Sequence, residues 1–220
     1  MRRLLSLIIF TSVAAAPAFA ADLPGKTSFA LRVSTLGMGV ELAHTLPIAN
    51  LTGRIAWNGY SYDTDDTIEG IPYDVELDLS SITALVDWRP WGQVTHVTAG
   101  LVFNGNEINA TGTATGTYAI GGMSYDAADV GALTGAASFD DVVPYVGLGW
   151  NIPVFPKTAL TFDVGVVFQG APQLSLTADG LLADDPGFQA ELASEQAEFQ
   201  KDIEDYEYYP VIALGLRRRF

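Results

Sequence analysis

Through most of this chain the apolar residues fall on every second position. Leu36, Met38, Val40 and Leu42 alternate with Gly37, Gly39, Glu41 and Ala43. Leu51, Gly53, Ile55 and Trp57 alternate with Thr52, Arg54, Ala56 and Asn58. Val97, Ala99, Leu101 and Phe103 repeat the pattern against Thr98, Gly100 and Asn104. So do Leu160, Phe162, Val164, Val166 and Phe168, and again Pro210, Ile212, Leu214 and Leu216. Successive side chains of a strand point to opposite faces, so period 2 predicts strands. Two more are expected at 73–88 and 139–150. In 73–88 the apolar phase slips near Ser80-Ser81, and a β-bulge is the expected cause.

The apolar phase is nearly free of charge. The opposite phase holds Arg32, Glu41, Arg54, Asp163 and Arg217 among Gly, Ser, Thr, Asn and Ala. A soluble sandwich would turn the apolar face into its core. A membrane barrel would turn it towards lipid and keep the polar face inside. Alternation alone does not separate the two, but the connections do. Pro47-Ile48-Ala49-Asn50, Arg89 to Gln93 and Asn151 to Lys157 are short. The connections near 63–72, 110–138 and 170–207 are long and polar. Short periplasmic turns alternating with long external loops are the habit of outer-membrane barrels.

Strand parity requires one more hairpin. As a single strand, 27–46 would run to roughly 65 Å, far beyond a bilayer. Its apolar phase also flips, from Phe29, Leu31 and Val33 to Leu36, Met38 and Val40. Ser34-Thr35-Leu36-Gly37 reads as a turn with Gly in a left-handed position. The expected fold is therefore all-β, an eight-stranded antiparallel transmembrane barrel. Both chain ends then lie on the short-turn side.

The N-terminus agrees with export. Arg2 and Arg3 precede an apolar run from Leu4 to Ala16, and Ala18-Phe19-Ala20 is a small-x-small cleavage site. Residues 1–20 are expected to be a signal peptide and 21–220 the barrel. Removing the leader takes the formal charge from −15 to −17. That balance argues against nucleic acid, which needs a basic face. With no Cys, a lipoprotein anchor, a disulfide framework and a thiolate metal site are excluded.

One segment leaves the strand pattern. Asp184-Asp185-Pro186 is a helix start, with Pro in the first turn. Phe188, Leu192, Phe199 and Ile203 then form one helical stripe. A short helix is expected in the last external loop, near 186–205, its stripe facing the barrel. Its many carboxylates make divalent cations a candidate partner, bridging the acidic loop to lipopolysaccharide.

Catalytic constellations are sparse. His44 and His96 both sit near short-turn ends, and no Ser-His-acid relay gathers at the external end. His96 is expected in the lumen as a satisfied side chain. The pairs Asp65-Asp66, Asp140-Asp141 and Asp184-Asp185 lack EF-hand spacing, and the Gly-rich 110–122 lacks a Walker Lys. No cofactor is expected.

Eight strands leave a lumen just wide enough for side chains to fill. Arg32, Glu41, Arg54, Asp163 and Arg217 should therefore pair, because an unpaired buried charge is costly. Inward Gly39, Gly100, Gly147, Gly149, Gly165 and Gly215 leave room for them.

The last residue is Phe220, preceded by Ile212, Leu214 and Leu216 at alternate positions. Here the chain resembles the Gram-negative outer-membrane β-barrel superfamily. It is most similar to the small eight-stranded class related to the OmpA and OmpW transmembrane domains. Thr35-Leu36-Gly37-Met38-Gly39-Val40-Glu41-Leu42, Pro144 to Trp150 and Tyr208-Tyr209-Pro210-Val211 share the resemblance. Arg218 stands where an aromatic is usual. The resemblance implies an outer-membrane location, a bilayer and lipopolysaccharide as surroundings, and Phe220 as the signal read by the barrel-assembly machinery. For function it implies a non-enzymatic structural or surface-interacting barrel. A narrow channel for small solutes is the alternative, and a lipid A-modifying enzyme a third reading. Deleting Phe220 is expected to impair assembly, seen as loss of the fast-migrating folded band in a heat-modifiability gel. Unchanged folding and surface delivery would remove that role.

Overall fold

The computed structural model describes residues 26–68, 71–113 and 115–220. The leader expected at 1–20 lies outside them. In chain order the elements are β1 (Thr27–Ser34), β2 (Gly37–Thr45), β3 (Leu51–Ile68), β4 (Ile71–Trp88), β5 (Thr95–Asn104), β6 (Glu107–Gly112), β7 (Thr117–Ile120), β8 (Met123–Asp126), α1 (Ala127–Val130), β9 (Leu133–Ser138), β10 (Val142–Phe155), β11 (Thr158–Phe168), β12 (Gln173–Ala178), α2 (Pro186–Ile203) and β13 (Tyr208–Arg219).

Eight of these strands close a ring, β1-β2-β3-β4-β5-β10-β11-β13, and β13 pairs back onto β1. Every pair is antiparallel. Closure leaves the ring no free edge, the only condition under which strands survive in lipid. Segment 27–46 divides at Thr35-Leu36, and Gly37 takes φ +105°, where a side chain would be strained. The outward phase carries Leu31, Val33, Leu42, Ile55, Leu101 and Leu214, all exposed. No described helix is long and apolar enough to cross a membrane, so any crossing falls to the strands.

The wall is not level. β1 and β2 are 8 and 9 residues long, while β3 and β4 have 18 each. The tall side continues as a separate blade. β4 pairs with β5 as far as Ser81↔Asn104 and then with β6 from Asp78↔Glu107, in the same register. β9 joins β6, and β12 joins β9. The connections expected at 63–72, 110–138 and 170–207 are thus largely folded: 63–68 belongs to β3, and the other two hold strands and helices.

The bulge expected at Ser80-Ser81 is absent. β3 and β4 stay in one register from Leu51↔Trp88 to Ile68↔Ile71. What changes is the surroundings. In the lower half Ile82, Val86 and Trp88 face out and are exposed, while Ser81, Thr83, Leu85 and Asp87 face in and are buried. In the upper half Asp74, Glu76 and Asp78 keep the outward phase, and Tyr73, Val75, Leu77 and Leu79 keep the inward one. The apolar phase inverts where the closed ring gives way to the blade: below, the outward residues are apolar, and above, they are carboxylates. The irregularity that does occur lies between β10 and β11, at Pro153 to Phe155.

A second core covers the inward-phase face of the blade. Tyr118, Ile120, Val130, Phe188 and Leu192 are buried together against Leu133, Leu176 and Ala178. Asp185 caps α2, its carboxylate accepting from the Phe188 N–H at 2.9 Å. The expected stripe holds only in part: Phe188 and Leu192 are buried, Ile203 is partly exposed, and Phe199 is 48% exposed. The second half of α2 packs by hydrogen bonds instead. Gln200 and Gln196 accept from the backbone N–H groups of Leu174 and Leu176 at 2.9 and 3.2 Å. They close the open edge of β12, which would otherwise template pairing with another chain.

Phe188→Ala is expected to destabilise this layer by about 3–5 kcal/mol while the ring stays folded. Hydrogen exchange over 117–130 should rise, with the heat-modifiable band unchanged. Coincident loss of both would mean that layer and ring form one cooperative unit.

Candidate functional site

Inside the ring the structure brings Arg32, Glu41, Arg54, Asp163 and Arg217 together, each at most 9% exposed. They come from β1, β2, β3, β11 and β13. Each is on the inward phase, and strand stagger levels them. Glu41 accepts from Arg32 and Arg217, and from Arg54 at 3.2 Å. Asp163 accepts from Arg32 at 2.9 Å and Arg54 at 3.3 Å. Arg54 is the hub, with Nε also 2.9 Å from Asp87 Oδ1 and Nη2 donating to Thr98 at 3.2 Å.

Three guanidinium groups thus meet three carboxylates, Glu41, Asp87 and Asp163. The balance matters because each buried ion loses several kcal/mol of hydration. His96 is fully buried, with Nε2 3.1 Å from Asp163 Oδ1 and Nδ1 3.3 Å from the Asn151 amide. Gly149 creates its niche: a Cβ there would lie 2.3 Å from His96 Nε2 and 2.4 Å from Asp163 Oδ1. Gly165 does the same for the Tyr145 phenol, which would meet a Cβ at 2.4 Å.

Above the charges the lumen turns apolar. Leu36, from the first turn, folds inward onto Leu85, Val102, Val143, Tyr145, Val167 and Val211. Tyr209 packs on the cluster and donates to the Thr35 carbonyl at 2.6 Å, holding that turn down. The cavity between charges and apolar cluster is about 20 Å³. Below the charges, at the short-turn end, a larger cavity of about 290 Å³ opens.

Asp87 and Asn151 escaped the sequence reading. Asp87 shares its phase with Ser81, Thr83 and Leu85, the signal that could have found it. The apparent slip at Ser80-Ser81 concealed it. Asn151 was assigned to a turn, whereas β10 runs past it and its amide oxygen accepts from Arg217 at 2.9 Å. His44 stands apart on the outer phase, 2.8 Å from the Thr27 hydroxyl. Phe220 directly follows the last strand, its N–H donating to the Thr27 carbonyl at 3.1 Å. Among the described residues no three His, Asp or Glu side chains gather as a metal site.

No protein-family model and no curated protein matches this chain. Solved structures do. CarO2 of Acinetobacter baumannii superposes with a TM-score of 0.58 at 20% identity, over 88% of this chain and 98% of that one. CarO of the same organism gives 0.56 at 20% identity, over 88% and 97%. At that identity the likeness carries the fold, a small β-barrel of the kind expected from the strand count.

Arg54→Met is expected to cost about 3–5 kcal/mol, because it strands buried carboxylates. Unfolding in lipid vesicles measures it, and the cycle with Glu41→Gln should be strongly non-additive. Additive effects would mean water screens the pair.

Proposed function

We propose that this chain is an integral outer-membrane barrel without catalytic activity, closed to solutes. Its working part is the folded blade it holds beyond the membrane. The observation that carries the reading is the filling of the lumen. Arg54, Glu41, Asp87, Asp163 and His96 are each 2% exposed or less, and the apolar cluster under Leu36 lies directly above them. A water path would have to break both layers.

Membrane residence is supported by the exterior. Soluble monomers rarely expose an apolar patch beyond a few hundred Å². Here an apolar belt follows the outward phase of the ring strands. β5, β11 and β13 have 10, 11 and 12 residues. A tilted strand needs about 9–11 to cross a bilayer. Trp88, Trp91 and Phe155 on one side and Tyr60, Tyr62, Tyr206 and Tyr208 on the other are exposed, as interfacial aromatics are.

The blade supports the surface role. It has its own core and a covered edge, so it holds a shape outside the bilayer. Its carboxylates keep it soluble and repel anionic sugar phosphates. Purified protein in planar bilayers is expected to give no steady single-channel steps, and none should appear when Leu36→Ala opens the apolar layer alone. Conductance in Arg54→Met with Leu36→Ala would show that these two layers are the seal. Steady conductance of the native chain would instead establish the narrow channel.

A further inference from the structure

The cavity at the short-turn mouth is chemically one-sided. Its volume is about 290 Å³, and Lys26, Arg89, Lys157, Arg217 and Arg219 line it with no carboxylate among the lining residues. The rest of the wall is hydroxyl, amide and apolar. Beyond the leader and the lumen network, Lys201 is the one cation placed outside this end of the barrel, in a chain of net charge −15. Five of its scarce cations are therefore gathered at one opening.

Some of that charge is uncompensated. Arg89 lies 3.6 Å from Asp87, and Arg217 pairs with Glu41. Lys26, Lys157 and Arg219 have no ion pair among the described residues. Like charges held at one mouth repel, and an anion between them relieves the repulsion. Arg217 lines the same cavity at 8% exposure, with its two terminal nitrogens already bonded to Asn151 and Glu41. The uncompensated charge at the mouth is therefore that of Lys26, Lys157 and Arg219.

We propose that this cavity binds a phosphate group. Phosphate oxygens are strong acceptors, and the lining offers guanidinium, ammonium, hydroxyl and amide donors. Arginine forks match its geometry in particular. Two sources share that chemistry, a soluble phosphate entering the mouth and the headgroup of an anionic phospholipid beside it. The site depends on the geometry of this barrel end and not on whether the lumen conducts.

The test uses the full chain in neutral detergent and in nanodiscs. Inorganic pyrophosphate is titrated by calorimetry. In parallel, retention of phosphatidylglycerol from phosphatidylcholine nanodiscs is read by native mass spectrometry. Lys157→Asn with Arg219→Gln removes two unpaired cations, and Asn tolerates the φ of +62° at position 157. Pyrophosphate affinity or phosphatidylglycerol retention should fall about tenfold or more, the loss of at least one charge-assisted bond. Lys201→Gln should change neither. The single Arg219→Gln variant, with an intact heat-modifiable band, guards against misfolding and should show a smaller fall. Pyrophosphate dependence alone identifies a soluble ligand, and lipid dependence alone identifies a headgroup. Binding of neither probe, equal binding by native and double variant, or an equal fall in Lys201→Gln overturns the proposal.

Discussion

The inside of an eight-stranded ring is too narrow for bulk water and too polar to be an oil core. Every second residue of each strand must point into it. When the outside is apolar, the inside receives the charges, and it must neutralise them with geometry instead of solvent. Arg54 shows how. Fully buried, it reaches Glu41, Asp87 and Asp163, carboxylates from three strands that are far apart in sequence. The ring positions them, and they in turn fix the strands that carry them. Gly149 and Gly165 are part of the same solution, since a side chain at either would occupy the space of His96 or Tyr145.

The same strand can present two opposite polarity patterns because pleat and chemistry are independent. β4 keeps an unbroken register with β3 over its whole length, yet its apolar phase reverses at Ser80-Ser81. Below that point apolar side chains face out. Above it the outward residues are Asp74, Glu76 and Asp78, and the inward residues join the blade. A phase reversal without a bulge therefore marks where the strand leaves the closed ring for the blade. Above that level the ring no longer closes, and edges return as a hazard. One of the two edges is β3 above Gly59, which pairs only with β4. The other is β12, and Gln196 and Gln200 of α2 occupy N–H groups on it. This explains why α2 is amphipathic only over its first half: Phe188 and Leu192 fill a core, and the later turns present amides.

Charge is distributed along the barrel axis as deliberately as polarity across it. Carboxylates crowd the blade, paired charges fill the lumen, and cations gather at the short-turn mouth. The gradient gives the two ends different chemistry even though the lumen between them is packed.

The sequence by itself determined the ring. Period-2 alternation, the sorting of short and long connections, and the flip between Val33 and Leu36 specify eight antiparallel strands. They also place Arg32, Glu41, Arg54, Asp163 and Arg217 on the inner phase, because side-chain direction in a strand follows from parity alone. Parity does not say which inward residues share a level. That depends on strand stagger, so the pairing of Arg54 with Asp87 and the seating of His96 between Asp163 and Asn151 were decided only by the closed barrel. The blade was equally hidden. β6, β9 and β12 are short segments rich in Ala, Thr and Gly, and they become strands only because the upper half of β4 offers an edge to extend. Phe199 fits a helical stripe in sequence and is exposed in space, since periodicity identifies a face but not what lies opposite it.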